Sequence, residues 1–227
     1  MVNDSRGFYT SRVIGTMVNE GLAMLGEGVH PMSVERAATQ AGYPVGTLQL
    51  SDELNMELMA KIATATAAAA GAAYVEHPGT AVVQQMLDAG RPGKLRGAGF
   101  YDYDENGRRT SLWSGLRELF PSAETPADLE DLKDRYLFIE ALETAKCFEE
   151  GVIESAAAAN IGSIMGIGYP PLTGGTVQFM QGYDGATGRG LAGFVERADQ
   201  LTKLYGDRFA PTDRLREMAA RGESFPA

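Results

Sequence analysis

His30, His77 and Cys147 are the side chains of this 227-residue chain best suited to act as a base, a metal ligand or a nucleophile. The two histidines stand far apart, and neither has the spacing of a metal site, so each reads as structural. Cys147 falls between Lys146 and Phe148 on a predicted helix and reads as a buried thiol rather than a nucleophile. One cysteine excludes an intramolecular disulfide framework and a multi-cysteine zinc site. The sequence contains no Gly-x-Ser-x-Gly elbow and no Walker loop.

Two further patterns look chemical. Gly188-Arg189-Gly190-Leu191-Ala192-Gly193 matches G-x-G-x-x-G, but Gly182–Gly185 before it reads as a loop rather than a buried strand. No acidic residue follows at the end of a second strand, so a flexible start of a helix is the better reading. Asp102, Asp104, Asn106 and Gly107 match the opening of a calcium-binding EF-hand loop. The twelfth position of that loop must supply a bidentate carboxylate and is Trp113 here, so a solvated hairpin is expected. Arg12 and Arg135 admit two readings: an ion pair with Glu20 or Glu143, or with a loop carbonyl, and an anion contact.

These residues must be positioned by a helical scaffold. Apolar Val13, Ile14, Met17, Val18, Leu22 and Leu25 recur at helical spacing over 11–25, and Gly28 follows as a stop. Pro31 opens a second helix, with Ser33 as a cap. Gly42-Tyr43-Pro44-Val45-Gly46 breaks the pattern, and a helical stretch resumes from about Leu48 to Ala70. Phe100–Tyr103 and Thr110–Trp113 are β-prone runs around the hairpin signal Asn106-Gly107. Pro121–Pro126 reads as a linker. Helices are predicted again over 129–149, 155–165, 177–181, 191–204 and 213–221.

The halves of the chain repeat one another. Arg12, Glu20, Glu27, Gly28 and Val29 recur as Arg135, Glu143, Glu150, Gly151 and Val152, each 123 residues later. Gly42-Tyr43-Pro44 recurs as Gly168-Tyr169-Pro170, and Gly46-Thr47 as Gly175-Thr176, at offsets of 126 and 129. Each half reads as long helix, Glu-Gly-Val stop, short helix, Gly-Tyr-Pro break and helix. The expected fold is all-α, two copies of one helical unit (residues 1–120, including the hairpin, and 121–227) with a small β-hairpin between the helical parts.

Lys+Arg 20 against Asp+Glu 30 gives a net charge of −10, which argues against a nucleic-acid binder. The first six residues carry an acid and no apolar core, so they do not read as a signal peptide. The alanine-rich run from Ile62 to Val75 is too short and too weakly apolar to span a bilayer. A soluble, cytoplasmic protein is expected.

Asp4-Ser5-Arg6-Gly7-Phe8-Tyr9-Thr10-Ser11-Arg12 resembles the segment that enters the C-terminal domain of the 3-hydroxyacyl-CoA dehydrogenases, which usually reads D-T-P-G-F-[IV]-x-N-R. Gly42-Tyr43-Pro44-Val45-Gly46 with Leu50, Ser51 and Asp52 is similar to the family's G-[FY]-P-M-G-P-x-x-L-x-D. Lys94 with Gly97-Ala98-Gly99-Phe100-Tyr101 resembles its G-R-K-x-G-x-G-F-Y. Glu149-Glu150-Gly151-Val152 and Gly166–Pro171 with Gly174-Gly175 resemble the last domain of multifunctional fatty-acid β-oxidation proteins. The resemblance covers essentially the whole chain, its motifs in the family's order.

The resemblance implies NAD-dependent oxidation of 3-hydroxyacyl-CoA to 3-ketoacyl-CoA, with these two helical repeats forming the far wall of the acyl-CoA cleft. It implies that the Rossmann NAD domain, with the catalytic His–Glu pair, and the enoyl-CoA hydratase region lie outside this chain, which alone is then expected to be inactive. The second repeat would mimic, within one chain, the dimer made by single-repeat dehydrogenases. Several relatives form complexes that contain a thiolase subunit. Carried over by motif, Ser11 stands where the family has the Asn that hydrogen-bonds near the reacting oxygen, and Arg6 where it has Pro. Pro44, Val45, Gly46 and Leu50 would line the acyl channel. A second reading is a stand-alone, non-catalytic helical interaction module built on the same fold.

Overall fold

The structure is a computed structural model and describes residues 2–227. α1 (Thr10–Gly26) buries Val13, Met17, Leu22 and Leu25 on the face set by their spacing, and the chain leaves it through Gly28 at φ 90°. α2 (Pro31–Ala41) starts on a proline, whose missing N–H has no helical partner in any case. Its cap is His30, whose Nδ1 accepts from the Met32 N–H at 3.2 Å, and Ser33 lies inside the helix.

The helix expected over Leu48–Ala70 is two helices, α3 (Thr47–Leu54) and α4 (Met56–Ala70). Asn55 separates them at φ 70°, a left-handed conformation that Asn tolerates better than most residues. Its Oδ1 accepts from the Glu57 N–H at 2.9 Å, and the Met56 N–H donates to the Pro92 carbonyl at 2.8 Å. α5 (Gly79–Asp88) begins where the Gly79 N–H donates to Nδ1 of His77 at 3.1 Å. β1 (Tyr101–Tyr103) and β2 (Arg109–Leu112) then form the antiparallel hairpin around Asn106-Gly107, followed by the short α6 (Leu116–Leu119).

α7 (Leu129–Glu149) and α8 (Ala156–Ile161) follow, the latter capped by Ser155 and continuing as a π-turn over Gly162–Gly166. α9 (Thr176–Gln181) leads to β3 (Asp184–Gly185) and β4 (Gly188–Arg189), a second antiparallel ribbon that the sequence did not announce. α10 (Gly190–Tyr205) and α11 (Asp213–Arg221), capped by Thr212, complete the chain. The fold is thus the predominantly helical one expected, with small two-stranded sheets. Among the described residues no helix is long and apolar enough to cross a membrane.

The chain divides into two compact units that are not contiguous in sequence. Unit one comprises the chain up to Met17, Ala41–Pro44 and Asp134–Ala227; unit two comprises Val18–Gln40 and Val45–Lys133. In unit one, Phe138 stacks on Phe194 with centroids 4.4 Å apart, and Phe179 and Tyr183 meet both rings edge-on. In unit two, two buried carboxylates, Glu35 and Asp52, tie α2, α3 and the hairpin together.

Candidate functional site

Within unit one, the chain approaches α1 through two left-handed residues, Gly7 at φ 77° and Phe8 at φ 49°, with the Phe8 N–H donating to the Ser5 carbonyl at 2.9 Å. Tyr9 is buried, its hydroxyl within 3.2 Å of Thr144 Oγ1, Thr176 Oγ1 and the Ala159 carbonyl. Ser11 is exposed on the first turn of α1. Arg12 is fully engaged. Its Nε donates to Glu143 and its terminal nitrogens to both oxygens of Glu150, at 2.5 and 2.8 Å. This pairing raises the Arg12 guanidinium and holds the Glu150 carboxyl below its ordinary range. Of the two readings of Arg12, the ion pair is the one observed.

The first turn of α1 rests on the π-turn. A Cβ placed on Gly162 would stand 3.1 Å from Cε1 of Tyr9, and one on Gly166 would stand 2.9 Å from Cγ2 of Thr10. A side chain at either position would force Tyr9 or Thr10 to shift. Two residues further on, the Gly-Tyr-Pro breaks of the two repeats meet reciprocally. A Cβ on Gly42 would stand 3.0 Å from Cβ of Pro170, and one on Gly168 would stand 2.9 Å from Cγ of Pro44. Such a contact is what a two-fold relation between repeats produces. Segment 166–168 therefore has the turn that carries Ser11 on one side and Pro44, itself exposed, on the other.

Beneath this junction the tyrosines of both breaks are buried edge-to-face, 5.9 Å between centroids. Tyr43 donates to Oε2 of Glu140 at 2.6 Å, with the Tyr136 carbonyl as a longer acceptor at 3.3 Å, and Tyr169 donates to the Leu137 carbonyl at 3.1 Å. Glu140 is fully buried, and its Oε1 has no hydrogen-bond partner among the described residues. Burial pushes its carboxyl up to about 8, only partly opposed by the bond from Tyr43. No sequence signal marked Glu140.

The remaining expected site residues lie in unit two. Val45 and Leu50 are half-buried, and Gly46 is buried at the start of α3. A Cβ on Gly46 would overlap the Glu35 carboxylate, whose Oε1 accepts from the Gln49 N–H at 2.9 Å. Glu35 thus occupies the N-terminus of α3, where a negative charge is favoured. Asp52 accepts from the Phe100 and Tyr101 N–H groups at 2.7 and 2.9 Å and from the Tyr103 hydroxyl at 2.9 Å. A Cβ on Gly99 would overlap the same carboxylate. The Asp52 and Gly99-Phe100-Tyr101 motifs are therefore two halves of one clasp. Burial raises both carboxyls from their ordinary values, opposed by these bonds.

The other chemical-looking motifs have structural employment. Gly193 is pressed against Gly188, so a Cβ there would overlap the Gly188 backbone, and Thr187 donates to the Gly193 carbonyl at 2.8 Å. The chain enters α10 from the exposed two-residue strand Gly188–Arg189, paired antiparallel to β3, and not from the buried parallel strand that the dinucleotide motif needs. Asp104 Oδ1 accepts from the Asn106 and Arg108 N–H groups, at 2.9 and 2.8 Å, and closes the hairpin turn. Asp102 pairs with Arg91, which lies over the Trp113 ring. Cys147 is buried and free, its thiol pushed up to about 11 by burial. Among the described residues no group of three His, Cys, Asp or Glu side chains could hold a metal.

Residues 7–103 match the family model for the 3-hydroxyacyl-CoA dehydrogenase C-terminal domain. The fold is similar to that of the dehydrogenase part of multifunctional enzyme 1 from C. elegans, with a TM-score of 0.71 and 19% identity over 95% of this chain. It is also similar to 3-hydroxybutyryl-CoA dehydrogenase from Escherichia coli K12, with a TM-score of 0.66 and 18% identity over 97% of this chain. This chain spans 48% and 61% of the lengths of those two chains.

Proposed function

We propose that this chain is the C-terminal part of a fatty-acid β-oxidation 3-hydroxyacyl-CoA dehydrogenase, built of two helical repeats (1–120 and 121–227), and that it forms the protein wall against which the acyl-CoA lies. The observation that carries this reading is the family match over 7–103, which includes the motifs quoted for the first repeat from Gly7 onward. Ser11 is the residue nearest the chemistry, donating one hydrogen bond toward the C3 oxygen of the substrate. Its exposure on the first turn of α1 supports that role. Pro44, Val45 and Leu50 supply apolar wall, as expected of a ligand cleft, and Gly46 acts through the close passage it allows over Glu35.

The base and the NAD that would accept hydride belong to protein outside this chain. Both histidines here use Nδ1 to cap a helix, which supports assigning the base elsewhere. The test is calorimetric titration of the purified chain with 3-ketoacyl-CoA, together with an assay for acetoacetyl-CoA reduction by NADH. Binding that weakens in Ser11→Ala, with no turnover, is the expected result. Absence of binding sinks the acyl-CoA reading in favour of an interaction module, and turnover by the chain alone sinks the assignment of the base to another part.

A further inference from the structure

Unit two holds a cleft of about 550 Å³ between α4 and α5. Small-molecule sites have volumes of roughly 300–1,000 Å³. Met59, Ala63 and Ala67 of α4 and Val83 of α5 give the cleft an apolar body. Two of the polar side chains that line it are engaged: Thr64 donates to the Ala60 carbonyl at 3.0 Å, and Gln84 to Asp88 at 2.8 Å. The other four, Asn19, Tyr74, Glu76 and Thr80, make no side-chain hydrogen bond or ion pair among the described residues. Three of these converge because α5 starts hard against α1. A Cβ on Gly79 would stand 2.5 Å from the Asn19 carbonyl oxygen, which brings Thr80 close to Asn19. The bond from the Gly79 N–H to Nδ1 of His77 fixes the turn that follows Glu76.

Charge selects the class of ligand. Glu76 is the one charged side chain among the described residues that line the cleft, and the whole chain carries −10. An anion would meet a like charge there and no lysine or arginine. A cationic donor meets a carboxylate and the unpaired oxygens of Asn19, Tyr74 and Thr80, all of which accept hydrogen bonds. We propose that this cleft binds a small alkylamine, its ammonium group held by Glu76 together with Asn19 and Thr80 and its alkyl body lying along Met59, Ala63 and Val83. The site is independent of the acyl-CoA reading above.

The test is calorimetric titration of the 227-residue chain with n-hexylammonium, ethylammonium, hexanoate and 1-hexanol, with amide NMR shifts to locate the bound ligand. Hexylammonium is expected to bind about fivefold or more tighter than hexanoate or hexanol, the worth of one solvent-exposed ion pair. It should bind about tenfold or more tighter than ethylammonium, because the longer body covers apolar wall. Shifts are expected over 59–67 and 74–84. Glu76→Gln, at an exposed position, should bring hexylammonium down to the level of hexanol. Ala63→Leu should weaken every six-carbon ligand by filling the cleft, and a thermal melt checks that both variants fold as their parent does. No binding of hexylammonium at millimolar concentration, equal binding of hexanoate, or a preference that Glu76→Gln retains overturns the proposal, as do shifts confined to other segments. Each of these outcomes leaves the acyl-CoA reading as it was.

Discussion

Tyr43 directs its hydroxyl hydrogen to Oε2 of Glu140 at 2.6 Å, while the other oxygen of that carboxyl, wholly buried, has no hydrogen-bond partner among the described residues. Ionised, this group would be a carboxylate in an aromatic enclosure with a single donor, which burial disfavours. Protonated, it brings a second hydrogen to the pair, so that one can bridge Tyr43 and Glu140 and the other can reach the Tyr136 carbonyl.

Stability is therefore expected to depend on pH in a defined window. The Glu140 carboxyl titrates near its ordinary value in the unfolded chain and at about 8 in the folded one, so the folded state holds the extra proton between those limits. Its contribution is full below the unfolded value, falls as pH rises, and is gone above the folded one. Glu140→Gln, which keeps shape and acceptor, should remove this fall. Urea denaturation from pH 5 to 9 should show the parent losing on the order of a few kcal/mol more than the variant. Parallel curves would mean that Glu140 is ionised in the fold.

Gly168 is at φ 73°, with a Cβ position 2.9 Å from Cγ of Pro44. Gly168→Ala should cost about 1–3 kcal/mol, from strain in the left-handed region and from crowding. Pro44→Ala removes the crowding atom and not the strain. The double variant should thus recover part of the loss, and an additive cycle in thermal melts would show that the reciprocal contact carries no energy.

The clasp between Asp52 and the hairpin makes a separate prediction. Asp52→Ala strips two buried backbone N–H groups of their acceptor and should cost about 3 kcal/mol or more, with early hydrogen exchange over 99–103. Unchanged protection at the Phe100 and Tyr101 amides would contradict it.

Cys147 should be silent to a thiol reagent in the native state. It is buried and its thiol is raised to about 11, so little thiolate forms and none is accessible. Reaction is expected only at the rate of unfolding, and rapid labelling at pH 8 without denaturant would refute the buried placement.

Ser11→Asn offers the complementary gain. An amide reaches further than a hydroxyl and donates as well. At an exposed position in a first helical turn it should leave stability unchanged and tighten 3-ketoacyl-CoA binding several-fold, as titration would show. Weaker binding would argue that Ser11 is not the anchor.

What the sequence revealed follows from the range of the forces involved. α7 and α11 fall on their predicted bounds, because apolar spacing and local caps decide them. The hairpin was legible because Asn106-Gly107 specifies its turn within a few residues. The break at Asn55 was not, because it depends partly on the Pro92 carbonyl, far along the chain. The caps at His30 and His77 escaped notice because imidazole is an uncommon cap. Ser11 and Pro44 were legible only through a family pattern, and the segment 166–168 that lies between them became visible only with the fold.

Unit one joins the first residues of the chain to its last ninety or so. A ribosome therefore releases the partners of Tyr9 and of the first Gly-Tyr-Pro break 93 to 167 residues after those segments themselves. Until α7 and the segments after it emerge, those early segments lack their partners in unit one, and long-range pairing of this kind slows folding. The architecture ties assembly of the start of α1 to the synthesis of α7, α8 and α9, so a chain that stops before them leaves Tyr9 without its half of the core.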